Sequence, residues 1–137
     1  MKQTLNTSWK GNMEFDALVG DHHLIMDAAP EVGGNNAGVR PKALMLASLA
    51  GCTGMDVISI LKKMRIEPKT FDIKIEAELT EEHPKHYTAM HLIYEFSGDG
   101  LEEDKLRKAI ELSQERYCGV SAVYRKALEL SYEIRIL

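Results

Sequence analysis

A chain of 137 residues has room for one hydrophobic core, and with 45% hydrophobic and 28% charged residues it sits near globular averages, which excludes wholesale disorder. A net charge of −4, with no block of like charges, argues against a polyanion binder, so no nucleic acid partner is expected. No apolar leader stands in MKQTLNTSWKGNMEFD, and the longest charge-free apolar run, Ala43 to Met55, is shorter than the roughly 20 residues a bilayer takes. The expectation is a cytoplasmic protein with no membrane partner, whose two cysteines are thiols or a redox pair rather than a permanent staple.

In chain order, residues 1–28 alternate weakly and break at Lys10-Gly11-Asn12 and Gly20-Asp21. They predict a meander of strands at Thr4–Lys10, Glu14–Val19 and His23–Asp27. PEVGGNNAGVRP follows, a glycine- and asparagine-rich loop over 29–40 that is long for a compact domain. Pro41 suits the first turn of a helix, and 41–66 reads as that helix. Its first half carries no charge on any face and therefore has to be buried all round. Its second half is amphipathic, with Val57, Ile58, Leu61 and Met64 on one face and Lys62, Lys63 and Arg65 near the C-terminus. Residues 70–97 predict an antiparallel hairpin around EEHPKH, 102–129 two helices interrupted at Cys118-Gly119, and 130–136 a closing strand. One domain over 1–137, of α+β class with an antiparallel sheet around a buried helix, fits this order.

Chemistry concentrates at the cysteines. Cys52 lies in the apolar helix between Gly51 and Gly54, each of which costs about 1 kcal/mol relative to alanine. Small neighbours admit a substrate to the sulfur, but they equally serve close packing, and a cysteine there also works as a small hydrophobe. Cys118 falls where one helix ends and the next begins, with Arg116 and Arg125 nearby in sequence; that setting favours a thiolate, though the residue also suits a packed turn. Asp56, one turn after Cys52, would raise a thiol pKa, and reads as a solvated or capped charge. His22-His23 and the hairpin histidines His83, His86 and His91 lack ligand spacing; with neither CxxC nor HxxxH, no metal is expected. Neither GxGxxG nor GxxxxGK[ST] occurs, and no cofactor is expected.

Taken together, RPKALMLASLAGCTGMDVISILKKMR and ERYCGVSAVYRKA resemble the OsmC/Ohr family (osmotically inducible protein C and organic hydroperoxide resistance proteins). GDHHLIMDAAPEVGGNNAGVRP fits its OsmC-like branch, so the resemblance covers essentially the whole chain. It implies an intertwined homodimer with antiparallel sheets wrapped around long central helices. It further implies a peroxiredoxin-like thiol peroxidase of oxidative-stress defence. In that scheme Cys52 attacks an organic hydroperoxide, Cys118 resolves the sulfenic acid to a disulfide, and a dithiol of lipoyl type restores both.

Two departures stand out. Peroxidase members place a glutamate just after the proline, where this chain reads Pro41-Lys42-Ala43, and an arginine in the N-terminal region, where this chain has none before Arg40. Arg40 is then the expected cation for the thiolate. The alternatives are a non-catalytic dimer of this scaffold that binds a small apolar ligand, and a structural dimer whose cysteines only pack.

Overall fold

The computed structural model describes residues 1–137, which form two compact units, Met1–Leu46 and Ala47–Leu137.

The first unit is a three-stranded antiparallel meander of β1 (Asn6–Trp9), β2 (Phe15–Val19) and β3 (His22–Met26), within two residues of the expected bounds. Gly20, at φ +61°, takes the first position of the two-residue turn between β2 and β3, as such hairpins favour. The long loop is anchored by one buried carboxylate. Asp27 accepts backbone N–H bonds from Ala28 (2.7 Å), Asn35 (3.0 Å) and Ala37 (3.0 Å). A turn of 3₁₀ helix at Pro30–Val32 and a bridge between Met26 and Val39 complete it. Gly34 and Gly38 are needed for contact: a Cβ on them would sit 2.0 Å from Ala28 O and 2.2 Å from Ile25 O respectively.

Helix α1 spans Leu44–Lys63. It opens with tight i→i−3 bonds to Pro41, Lys42 and Ala43, which absorb the expected first turn. It closes as Ile66 N bonds Leu61 O and Arg65 N bonds Lys62 O, with Arg65 left-handed at φ +60°, the Schellman arrangement. Only Leu49, Thr53, Val57 and Leu61 are buried, one stripe at four-residue spacing. The expected all-round burial is therefore not met within one chain: Met55 is 77% exposed, and Gly51 and Ile58 are also exposed. At 20 residues the helix has the length and apolar character to cross a bilayer, since it runs past the charge-free segment to Lys63.

In the second unit β4 (Thr70–Leu79), β5 (Tyr87–Ser97) and β6 (Glu129–Ile136) form one sheet in the order β4-β5-β6. β4 alternates exposed and half-buried residues over most of its length, and it pairs antiparallel with β5 as expected. β6, however, runs parallel to β5, so the sheet is mixed rather than antiparallel. The reason lies in the connection: 98–128 carries two helices, long enough to return the chain to the end of the sheet at which β5 starts, as a parallel crossover requires. As the central strand, β5 buries every residue from Leu92 to Phe96. The core gathers Leu49, Val57 and Leu61 of α1, Met90, Leu92 and Phe96 of β5, and Leu106 and Ile110 of α2 (Glu103–Leu112). Phe71 stacks on Phe96 at 4.4 Å. Beyond α2 the chain makes a π-helical turn, Ser113–Tyr117, before α3 (Gly119–Tyr124).

Candidate active site

The π turn is the local feature that builds the site. Cys118 N donates to Ser113 O (2.7 Å), an i→i−5 bond that inserts one residue into the helical register. Ser113 and Gln114 continue the inward face of α2, and the bond brings Cys118, itself buried, to the start of α3. There Ser121 N donates to Cys118 Sγ at 3.3 Å.

Cys52 reaches the same place from α1. The Sγ atoms of Cys52 and Cys118 and a carboxylate oxygen of Asp56 all lie within 4.8 Å of one another, although 65 residues separate the cysteines. Neither cysteine is in a disulfide. Burial pushes the Cys52 thiol above its ordinary value; the Val120 N–H pulls the other way, while Cys118 and the Asp56 charge push it further up.

Asp56 is half-buried rather than a freely solvated charge or a cap. It accepts from Ser113 Oγ at 2.9 Å. Ser113 Oγ lies 2.8 Å from Thr53 Oγ1, which lies 2.8 Å from Tyr94 OH, which accepts from Gln114 Nε2 at 2.7 Å. Each hydroxyl has a single proton, so the directions follow from the end at Asp56. Ser113 spends its proton on the carboxylate, Thr53 donates to Ser113, and Tyr94 donates to Thr53. All bonds run toward Asp56, the arrangement in which each polarises the next. Burial pushes the Tyr94 phenol to about 12, which keeps that proton available to donate.

The other expected participants have partners of their own. Arg125 donates to Gln114 O (2.7 Å), fastening the π turn, and Arg116 lies over the ring of Tyr117. Arg40 belongs to the first unit, where its guanidinium donates to Gly38 O (3.0 Å), Asn36 Oδ1 (3.0 Å) and Asp27 O (3.4 Å). It borders an apolar groove of about 510 Å³ lined by Met13, Phe15, Met26 and Val32. The two glycines beside Cys52 are also explained differently. A Cβ on Gly54 would stand 3.1 Å from Ile73 Cδ1, so Gly54 serves packing against β4, while Gly51 is exposed with nothing within 4 Å. His91 sits between Ser131 Oγ (2.7 Å) and Glu133 Oε1 (2.9 Å) on the sheet.

Spacing offered one clue to the site's polar half: Thr53 and Asp56 lie one and four residues after Cys52. Ser113 and Gln114 follow the helical spacing of Leu106, Ala109 and Ile110, so their inward position is periodic; what spacing does not carry is that they join Tyr94 in one hydrogen-bonded chain.

An α+β scaffold with two thiols converging from an apolar helix and a helix junction defines a class, and the chain belongs to the OsmC-like protein family, whose model matches residues 33–133. Protein YhfA of Escherichia coli is 30% identical over 115 residues, covering 82% of this chain and 83% of that protein. A hypothetical protein from Aquifex aeolicus is 29% identical, with a TM-score of 0.83, over 100% of this chain and 98% of its own. The organic hydroperoxide resistance protein OhrB of Bacillus subtilis shares the fold at 16% identity, with a TM-score of 0.69 and 98% of each chain covered.

Proposed function

We propose that this protein reduces organic hydroperoxides with its own two thiols and works as a homodimer. The reading rests on one observation: Cys52 Sγ and Cys118 Sγ are within 4.8 Å in the reduced chain. A disulfide needs about 2.05 Å, so side-chain rotation closes the remaining gap of less than about 3 Å. The family includes proteins named for hydroperoxide resistance, which supports the same chemistry.

The Cys52 thiolate attacks the outer oxygen of ROOH, the O–O bond breaks, and Cys52 becomes a sulfenic acid while ROH leaves after protonation. Cys118 then attacks that sulfur, giving the disulfide and water. A dithiol of lipoyl type, oxidised to its own disulfide, returns both protein thiols. The net change is ROOH plus two thiols to ROH, water and a disulfide. The Val120 N–H on Cys52 and the Ser121 N–H on Cys118 offset negative charge on each sulfur. Arg40 keeps its charge and two of its five N–H donors beyond the bonds to Gly38, Asn36 and Asp27, and is assigned as the cation for the thiolate. Two reduced cysteines suit the cytoplasm.

Dimerisation is supported by the exposed apolar face of α1, and members of the family are typically homodimers. The test is stoichiometric. One equivalent of cumene hydroperoxide should remove both thiols and yield an intramolecular disulfide. Cys52→Ser should abolish consumption, and Cys118→Ser should leave a sulfenic acid that dimedone traps. Unchanged thiol titres after peroxide would end this reading.

The apolar groove of the first unit favours a second reading, a non-catalytic scaffold that holds a small apolar ligand. It predicts thermal stabilisation by a medium-chain alcohol that is the same in Cys52→Ser as in the natural chain.

A further inference from the structure

We propose that Cys52, Cys118 and Asp56 bind a thiophilic divalent cation, with zinc as the type ion, and that its occupancy holds the reduced site closed to peroxide. The metal site stands on geometry alone; its effect on turnover rests on the peroxidase reading above.

Three donor atoms of the kinds zinc prefers, two sulfurs and a carboxylate oxygen, lie within 4.8 Å of one another. In a tetrahedral site with Zn–S near 2.3 Å and Zn–O near 2.0 Å, two sulfurs stand about 3.7 Å apart and a sulfur and oxygen about 3.5 Å, so the triad needs a contraction of about 1.3 Å at most. The surroundings already have the form of an outer shell. Ser113 Oγ holds one oxygen of Asp56, leaving the other lone pairs for a metal, and Thr53 and Tyr94 hold Ser113 in turn. Each sulfur has a backbone N–H on it, from Val120 and from Ser121. Ser121 also carries a fully buried hydroxyl with no hydrogen-bond partner, a free polar group on the turn that positions Cys118. Thiolates so partnered carry charge at lower cost inside a protein. Two sulfurs select a soft cation over magnesium or calcium, and three protein ligands leave one position for water.

Binding displaces two thiol protons into solvent and leaves both sulfur lone pairs on the metal, so neither sulfur is free to attack an O–O bond. Oxidation works against binding in the same way: peroxide, two thiolates and two protons give the disulfide, alcohol and water, and the cation is released.

The experiment titrates reduced, chelator-treated protein with Zn²⁺ against a chromogenic competitor, and with Co²⁺ to read thiolate-to-metal charge transfer. One equivalent is expected to bind, with the charge-transfer band present, and the disulfide form is expected to bind neither ion. Ser113→Ala should weaken binding about tenfold, as loss of an outer-shell partner does, and Cys52→Ser or Cys118→Ser by more. Because the oxidised natural chain serves as the control, a variant that misfolds does not decide the outcome. Zinc binding equal in reduced and oxidised protein, or a Co²⁺ complex without the thiolate band, would overturn the site. Peroxide consumption by metal-free protein is measured in parallel. If it is absent while zinc binds, the peroxidase reading fails and the metal site stands. If both occur yet zinc leaves peroxide consumption unchanged, the proposed closure is overturned.

Discussion

Asp56 carries the sharpest consequence at the level of single residues. Its charge beside Cys52 disfavours the thiolate, and the hydroxyl chain from Tyr94 through Thr53 and Ser113 is aimed at it. Asp56→Asn keeps an oxygen for Ser113 but removes the charge. With a chelator present, the variant should react with hydroperoxide several-fold faster at neutral pH. A slower variant would mean that Asp56 instead accepts the Cys52 proton. Asp27 governs a different property. The Ala37 N–H bond lowers its pKa most; burial opposes this, and the Ala28 and Asn35 bonds and the Arg40 charge add to the lowering. The folded pKa is thus depressed, so the stabilisation is complete above the unfolded value, near 4, and fades as pH falls through the folded one. Urea unfolding between pH 6 and about pH 2.5 should show that acid loss in the natural chain and a flatter profile in Asp27→Asn.

At the level of elements, the end of α1 is under local strain. Arg65 holds the left-handed position that glycine takes without a Cβ penalty. Arg65→Gly should raise the midpoint of thermal unfolding, by the equivalent of about 0.5–1 kcal/mol after glycine's own entropy is charged against it. Elements built on a strict period were legible in the sequence. β4 alternates, and Val57 and Leu61 lie on the expected face of α1, whereas the exposure of Met55 and Ile58 was not legible, because an uncharged run carries no period. The pairing direction of β6 was not, because alternation fixes which face a residue occupies and is silent on which way the neighbour runs. The cysteines could be singled out by their settings, and the family resemblance paired them. Their polar support could not: Ser113 and Gln114 continue the inward face set by Ala109 and Ile110, but spacing within one helix is silent on which side chains of α1 and β5 they meet.

For the whole molecule, the proposed homodimer turns on the apolar face of α1. A stripe of four residues is satisfied within the chain, and Met55, Ile58 and Met45 remain on the surface of the single subunit. Trp9, Phe15, Leu18 and Val19 of the meander are exposed as well, Trp9 to 66%. Apolar surface of this kind is what the proposed interface would cover. Sedimentation should report a dimer at micromolar concentration, and Met55→Glu should shift it toward monomer by burying an unpaired charge at the seam. A monomeric natural chain would remove the assembly from the proposal.

The π turn makes the thiol pair sensitive to how tightly the chain winds as well as to its composition. If Ser113–Tyr117 wound as ordinary α-helix at the same chain length, each residue would advance about 100° and Cys118 would be carried about a quarter turn past its present position. The second sulfur would then face away from the first with every side chain chemically intact. A lineage could therefore lose this pairing without touching either cysteine and keep the scaffold for other use, so an intact five-residue turn is a better marker of the paired state than the presence of both cysteines.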